Sequence, residues 1–532
     1  MSPSPEPQKP SAAPSQFIWG RLAHDKTHVA VWVLFAAALL LRFVFLTHKG
    51  FWNNEFITLH ALRLSPGDLL VERLHRNHMP LYFEFLKGWI VVFGESEFSV
   101  KFPSAIFSFL QVLFGFKLAR RFINRDAGLT VALFLALSQL SLWSSLEVRM
   151  YSLVMAVAIA ATYYFLIYVE ERNPRAGVMC ALLMFVGLLS HLLIGFLLVL
   201  LGFYWFAHRR ALRVRPAGVC LVLFSPWVLA SPILLMWLKV QYIIAPSDDS
   251  GQLRLSNWCR TLLKLFWGDY SELLSHAVRG IAILLLLLVM IGVVRYARRS
   301  AKTNGASDPA AERPGLQLRI FRLGLAWALG LPLAILAFST CVSSTLGDDR
   351  YYSPSIGGFA LVFYFGLTGW PQLKFRRLLL IFSALLLTAY SMSYLLAKGD
   401  GVRESIAYLK QKLQPDDALL ICQGGATRYA FTYYDVPLAG ILGVNRDIRD
   451  PEQLLDRARR VAEGRPRRIW LFLYHEKTTP IFQVFAERTA FFRLVQPQRV
   501  FREVKISCFE ALPALFQSGT SSPVPSQGNS GD

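Results

Sequence analysis

Charge is what this chain is short of. Of its 532 residues only 17% are Asp, Glu, Lys or Arg, while 54% are hydrophobic. Soluble domains carry charge on about a quarter of their residues, so a water-soluble globular class is excluded. Acid is scarcer than base: 35 Asp plus Glu stand against 56 Lys plus Arg, a net charge of +21. The surplus sits in loops between apolar segments, as in cytoplasmic loops that face an anionic leaflet, so it points to a membrane and not to nucleic acid. Cysteine is sparse as well. Cys180, Cys220, Cys259, Cys341, Cys422 and Cys508 include no CxxC or other metal-ligand spacing, which predicts free thiols in apolar surroundings. The short alternating segments of a membrane β-barrel are also missing.

What is present is a series of long apolar runs, at 29–47, 102–118, 127–145, 150–169, 177–190, 192–207, 217–237, 276–294, 320–341, 354–371 and 378–397. A helix needs about 17–25 such residues to span a bilayer. The expected class is therefore a polytopic α-helical membrane protein with about 11 transmembrane helices. The stretch 80–94 is short and holds Glu84 and Lys87. If it stays at the interface, the inner loops carry 20 Lys and Arg and the outer loops 12. If it crosses, ARRFINR and HRRALRVR face out, against the positive-inside bias. We therefore read 80–94 as an interfacial or re-entrant helix.

The expected plan follows. Residues 1–27 form a disordered cytoplasmic N-terminus, and 28–398 a transmembrane domain whose first segment is an anchor and not a cleaved signal. That domain has outer loops at 48–101 and 238–275 and a cytoplasmic loop at 295–319. An α/β domain on the outer face occupies 399–515, and 516–532 is a disordered tail. This predicts a multi-pass protein of the plasma (inner) membrane, N-terminus cytoplasmic and C-terminal domain extracytoplasmic. Nucleotide-activated sugars lie inside, so outer-face chemistry draws an activated substrate from the lipid phase.

Within the C-terminal region, RESIAYLKQKLQ (403–414) and PEQLLDRARRVAEG (451–464) have helical spacing. ALLIC (418–422) and IWLFLY (469–474) read as buried strands, Gly424-Gly425 as a turn, and VFREVKISCFEA (500–511) as an edge strand. This region has no GxGxxG, P-loop or nucleophile elbow.

Polar residues gather on the predicted outer face: Asn54 and Glu55; His78 before a proline; Glu147, Arg149 and Tyr151; His191; and Arg350 with Tyr351. Ionisable groups beside a membrane interior are functional candidates by default. Blander roles compete: an ion pair between Glu147 and Arg149, a packing role for His191, a snorkelling Arg350.

The order of motifs resembles the GT-C glycosyltransferases, in particular the group related to protein O-mannosyltransferases and the aminoarabinose transferase of lipid A. The W-x-D-E motif of that group corresponds to Trp52-Asn53-Asn54-Glu55, and H-P-P-L-Y-Y to the stretch from His78 to Phe83. G-x-S-E-x-x-x-R-x-P-S corresponds to GESEFSVKFPS (94–104), with Lys101 for Arg. E-x-R-M-Y corresponds to the stretch from Glu147 to Tyr151, followed by Ser190-His191 and Arg350-Tyr351. The resemblance covers about the first 400 residues. It implies a GT-C fold and transfer of a sugar from a polyprenyl-phosphate donor to a hydroxyl of a glycolipid, glycan or protein.

On that reading a carboxylate takes the acceptor proton and cationic donors meet the leaving phosphate. Glu55, Asn54 and Glu147 are the catalytic candidates. His78, Arg149, Tyr151, His191, Arg350 and Tyr351 are the substrate-binding candidates. Asn54 stands where the group has an Asp commonly taken as the base, and an amide cannot accept a proton. Then Glu55 or Glu147 takes over as base, or the acceptor needs no strong base, or the chain binds a lipid-linked sugar without transferring it. A transporter would show broken helices and repeated halves, and no repeat is seen. No metal site is assigned, although a divalent metal is left open: Asn54, Glu55, His78 and Glu147 have suitable donors but no diagnostic spacing. The expectation for the fold is that Glu55, His78, Glu147 and Arg350 line one outward-facing cavity.

Overall fold

The structure, a computed structural model, describes residues 26–212, 214–243, 264–268, 276–303, 312–342, 349–422, 424–436, 441–444, 451–462, 467–474 and 481–517. The expectations for residues 1–25, most of the 238–275 loop, residues 304–311 of the 295–319 loop, Cys259 and the tail from 518 lie outside the described residues.

Each predicted apolar run falls on a helix, as it must where lipid offers the backbone no hydrogen bonds. Among the described residues, seven helices of 21 to 27 residues are long and apolar enough to cross a membrane. An eighth span results if Arg125–Leu137 and Gln139–Ser145, bent by 57°, count as one. Shorter apolar helices lie at Val29–Val44 and Pro174–Ser190, and Ile356–Thr368 has 13 residues. Helix length therefore supports seven or eight spans of a multi-span integral membrane protein, and three shorter helices separate that number from eleven. The stretch at 80–94 forms the helix Leu81–Phe93. It is about 20 Å long, short of a hydrocarbon core of about 30 Å.

The bend at Ser138 opens the helical ladder. The Leu135 carbonyl receives Arg42 Nη2 at 3.2 Å and the Leu137 carbonyl receives Ser391 Oγ at 2.5 Å. Arg42 also donates to Ser108 Oγ, Ser141 Oγ and the Ala38 carbonyl. A buried guanidinium is tolerable here because side-chain hydroxyls and carbonyls take its donors.

The region after the last long helix, Leu373–Leu396, forms a five-stranded sheet. Its strands are β1 (Ala418–Cys422), β2 (Ile441–Val444), β3 (Arg468–Tyr474), β4 (Phe492–Phe501) and β5 (Val504–Ala511), in the order β2-β1-β3-β5-β4. β2, β1 and β3 run parallel, so helices must cross over between them. Gly424–Tyr433 and Pro451–Val461 do so. Two local expectations are corrected. Gly424-Gly425 opens the first of these helices instead of making a turn. The 500–511 stretch contains a hairpin turn, and its second part, β5, is an inner strand. β5 is buried nearly throughout, while β4 is mostly exposed and forms the edge.

The Gly424–Tyr433 helix rests on the Asn53–Leu62 helix of the membrane part. Tyr429 stacks on His60 at 3.8 Å, and Tyr433 meets Phe51 edge-on at 5.2 Å. Tyr434 Oη donates to Glu97 at 2.8 Å, and Arg403 bonds Glu97 at 3.1 Å and the Thr47 carbonyl at 3.0 Å. Gly401, at φ +92°, allows the chain to enter the sheet domain. A Cβ there would run into the Phe501 carbonyl, and a left-handed φ disfavours other residues.

Candidate functional site

The site is built around Trp52. Trp52 is the extended N-cap of the Asn53–Leu62 helix, and Glu55 is its third residue. Glu55 Oε2 accepts the Trp52 N–H at 3.1 Å, the reciprocal half of a capping box. Glu55 Oε1 accepts the Val148 N–H at 2.7 Å. Both carboxyl oxygens thus face main-chain donors, and Glu55, 1% exposed, ties the helix start to the 146–150 turn. Helical geometry aims the two amides elsewhere. Asn53 Oδ1 accepts from Thr427 of the sheet domain at 3.4 Å. The half-buried Asn54 sends only its carbonyl to a partner, Thr58.

Glu147, 6% exposed, sits in the turn before the Tyr151–Glu171 helix. The Trp52 indole N–H donates to its Oε2. Glu55, Glu147, Trp52, Lys49, Lys101 and Tyr394 line a cavity of about 790 Å³. The sheet domain completes its wall through residues 398–400 and the β4–β5 turn at Arg502 and Glu503. Lys101, 1% exposed, donates to the Gly50 carbonyl. Lys49 lies 3.2 Å from the Tyr394 ring centre, and burial lowers its ammonium to about 8. Burial pushes both carboxyls above the usual carboxylate range; Glu147 adds to the rise at Glu55, while Lys101 and hydrogen bonds from Trp52 oppose it in both. Two acids in one desolvated space resist double ionisation.

A second cluster holds the imidazoles and guanidiniums. Arg149 Nη2 donates to His78 Nε2 at 2.9 Å. Arginine has no acceptor, so His78 Nε2 accepts and Nδ1 carries the proton. Burial holds the His78 pKa well below its ordinary value, and Arg149 and Arg73 add to the effect. Arg73 is fully buried beside Phe83, and its ion pair with Glu72 leaves both terminal nitrogens without a well-directed hydrogen bond. Arg149 Nε and Tyr151 Oη are also buried without a partner. His191 lies between Tyr151 and Tyr351, with ring centres at 6.2 and 5.9 Å. Arg350 lies 5.9 Å from the Trp52 ring centre and borders a smaller cavity of about 210 Å³ that shares Tyr394 with the first. This arrangement can hold an anion at the guanidinium and imidazole cluster and move a proton at the neighbouring carboxyls.

The expected single cavity therefore resolves into neighbouring parts. Glu55 and Glu147 line the larger cavity, Arg350 borders the smaller one, and His78 lines neither. Glu147 and Arg149 are not an ion pair: one takes the indole and the other the imidazole. The four residues named for a divalent metal do not form a ligand set. Among the described residues no three His, Cys, Asp or Glu side chains come close enough to hold one. Sequence reasoning missed Trp52 and Lys101 as site residues although both lie in quoted motifs. It also missed Arg73, one of several charges on the amphipathic helix Pro66–His75, and Tyr394, which arrives from far along the chain.

A family model described as dolichyl-phosphate-mannose-protein mannosyltransferase matches residues 77–235. This segment contains His78, Lys101, Glu147, Arg149, Tyr151 and His191. A comparison with curated proteins gives no match. Among solved structures, ArnT from Cupriavidus metallidurans in the apo state is 14% identical, with 92% of this chain and 99% of that chain covered and a TM-score of 0.44. The archaeal oligosaccharyltransferase AglB from Archaeoglobus fulgidus, in complex with an inhibitory peptide and a dolichol-phosphate, is 12% identical over 86% and 70%, with a TM-score of 0.49. The arabinofuranosyltransferase AftD from Mycobacteria is 12% identical over 92% and 42%, with a TM-score of 0.41. Likeness at this level carries no residue-level correspondence.

Proposed function

We propose that this protein is a GT-C-type glycosyltransferase that moves a sugar from a polyprenyl-phosphate donor to a hydroxyl of a glycolipid, glycan or protein. The observation that carries this reading is the junction at Trp52. A carboxyl pair holds the Trp52 indole and backbone N–H groups, and beside it lies a cluster of guanidiniums and imidazoles in which Arg149 and Arg73 keep unfilled donors. The family match over 77–235 supports it, because that segment supplies residues to both sides.

In this mechanism the acceptor oxygen attacks the anomeric carbon and its proton passes to Glu147. The bond from that carbon to the phosphate oxygen breaks, and the electron pair leaves with the phosphate. The products are the glycoside and the polyprenyl phosphate. Glu147 is the base, because Glu55 already faces main-chain N–H groups with both oxygens. Glu55 holds the Glu147 turn against the helix start. Arg149, His78 and Arg350, with Tyr151, His191 and Tyr351 around them, receive the charge that builds on the phosphate. Asn54 then costs the enzyme nothing, since the proton goes elsewhere. The polyprenyl tail stays in the bilayer, the protein sits in the plasma (inner) membrane with its N-terminus cytoplasmic, and the site and sheet domain face outward.

The test is sugar transfer from a radiolabelled polyprenyl-phosphate donor in membranes carrying wild type, Glu147→Gln, Glu55→Gln or Asn54→Asp. Transfer by wild type that Glu147→Gln abolishes is the expected result. An inert wild type that Asn54→Asp activates would overturn the reading in favour of binding without transfer.

A further inference from the structure

Arg73 is a buried cation that the fold sets beside His78. It lies in the last turn of the helix Pro66–His75, whose end forms a Schellman motif. The His78 N–H donates to the Arg73 carbonyl at 2.9 Å, and the Asn77 N–H to the Leu74 carbonyl at 3.2 Å. Asn77 takes the left-handed φ of 60° that such a cap needs. The side chains at the two ends of this motif commonly touch, and here both lie against Phe83. Its ring centre is 4.9 Å from the Arg73 guanidinium carbon and 5.9 Å from the His78 ring centre. The helix Pro216–Ile243 clamps the cap: Trp237 Nε1 donates to Asn77 Oδ1 at 3.1 Å and Gln241 Nε2 to the Leu74 carbonyl at 2.7 Å.

Charge does not balance around this cap. Glu72 is the carboxylate in contact with Arg73, and its other oxygen bonds Arg76 Nε at 2.6 Å. One acid thus serves two guanidiniums. Arg73 is fully buried, yet both its terminal nitrogens lack a well-directed hydrogen bond. Arg149 bonds His78, and its Nε and the Tyr151 hydroxyl are also buried and unfilled. The charges that act most on His78 are Arg149, Arg73, His191 and Arg350, and none of these is an acid. A purely structural ion pair would fill its donors. Buried guanidiniums with donors to spare and one shared carboxylate carry excess positive charge, which an anion offsets.

We propose that Arg73 is a further catalytic residue of the leaving-group site, whose guanidinium binds the second negative charge that appears on the phosphate. The donor is a phosphodiester with one charge. When the bond to the anomeric carbon breaks, the electron pair stays on the phosphate oxygen, and the lipid product is a monoester with two. Arg149, hydrogen-bonded to no carboxylate, supplies one unpaired positive charge, enough for the diester. Arg73 and Arg76 against the single Glu72 leave a second. An interaction that forms only as charge moves lowers the barrier and does not tighten donor binding. The site is therefore selective for a lipid phosphate monoester over the diester. The inference deepens the proposed transferase reading and rests on it for its catalytic consequence only.

Lipid binding to the purified full-length protein tests it without any transfer. The probes are a polyprenyl monophosphate and its methyl diester, which keeps the tail and one charge. At about pH 8 wild type should bind the monophosphate roughly 10-fold or more tighter than the diester. The preference should shrink at about pH 5, below the second phosphate pKa of about 6. His78 and His191 stay neutral over that range, because burial holds both below their usual value. Arg73→Met should lose the preference and keep diester binding, and Arg73→Lys should retain most of it. Inorganic phosphate, which has no tail, should displace the lipid only at far higher concentration. In the transfer assay Arg73→Met should lower kcat by about 10-fold or more with little change in donor KM, and added polyprenyl phosphate should inhibit it less. A wild type without the preference overturns the proposal even if Arg73→Met fails to fold. So does an Arg73→Met protein that keeps the preference, or displacement by inorganic phosphate at the lipid's own concentration, which would mark a free-phosphate site. A preference that behaves as expected in a protein that transfers no sugar overturns the transferase reading and leaves the Arg73 assignment standing.

Discussion

Two charge clusters, one buried and one partly buried, lie at opposite ends of the helix Tyr151–Glu171, roughly 30 Å apart along its axis. At its C-terminal end Glu170 receives Arg319 through both oxygens, at 2.6 and 3.1 Å, and the Tyr204 hydroxyl at 2.6 Å. One acid meets one base, and a phenol fills the remaining geometry. At its N-terminal end two acids share a cavity with lysines, while Arg73, Arg149 and Tyr151 keep buried polar atoms without partners. Native interiors pair nearly all such groups. The matched cluster is complete as it stands and holds helices together. The mismatched one has donors left over, which is what a site awaiting an anionic ligand requires.

Breaking each end should separate these roles. The largest effect on transfer is expected from Glu147→Gln. Rates should fall by about 10²–10⁴-fold with an unchanged unfolding temperature, and activity near wild type would remove Glu147 as the base. Next comes Arg149→Met, with a loss of roughly 10²–10³-fold if it stabilises charge on the phosphate. Measured donor binding should weaken far less than the rate falls. A pH series sharpens the contrast. If Glu147 is the base its ionised form is the active one, and burial raises its pKa, so transfer should fall as pH drops through a midpoint above the ordinary carboxylate value of about 4.3. A midpoint at or below that value would mean that the base is solvent-exposed and lies elsewhere.

At the matched end Arg319→Met should cost stability, by about 1–3 kcal/mol, because it strands a partly buried carboxylate. Activity per folded molecule should hold, as seen by comparing thermal unfolding with specific transfer. The smallest effect is expected at Asn54. Asn54→Asp should change transfer by no more than about 2-fold, the scale of substitutions away from buried partners. A large gain would return the base to that position.

Much of this was legible in the chain. Apolar runs located the helices because a span needs length and hydrophobicity, both of which are local properties. The strands at 418–422 and 469–474 were legible for a similar reason: a short, wholly apolar run between turn signals suits a doubly buried parallel strand. β4 was not, because Phe492–Phe501 is a mostly polar edge with little pattern. The Gly424–Tyr433 helix was hidden behind its two glycines, whose local preference is overridden by the crossover between β1 and β2.

The site divides along the same line. Glu55, His78, Glu147, Arg149 and Arg350 stood out from sequence because ionisable groups are rare and costly beside apolar runs. Their grouping did not stand out. Which carboxyl is already engaged depends on the Val148 N–H, more than 90 residues from Glu55 in the chain. Whether Asn54 matters depends on which way one residue of a helix faces. The burial of Lys101 and Arg73, the arrival of Tyr394, and the sheet domain over the cavity are contacts between distant segments. Sequence by itself therefore determined the class of the protein, the course of its helices and the residue types available for chemistry. Tertiary structure alone decided which of those residues share a space and which charges balance, because desolvation and Coulomb energy depend on distance in the folded chain and not along it.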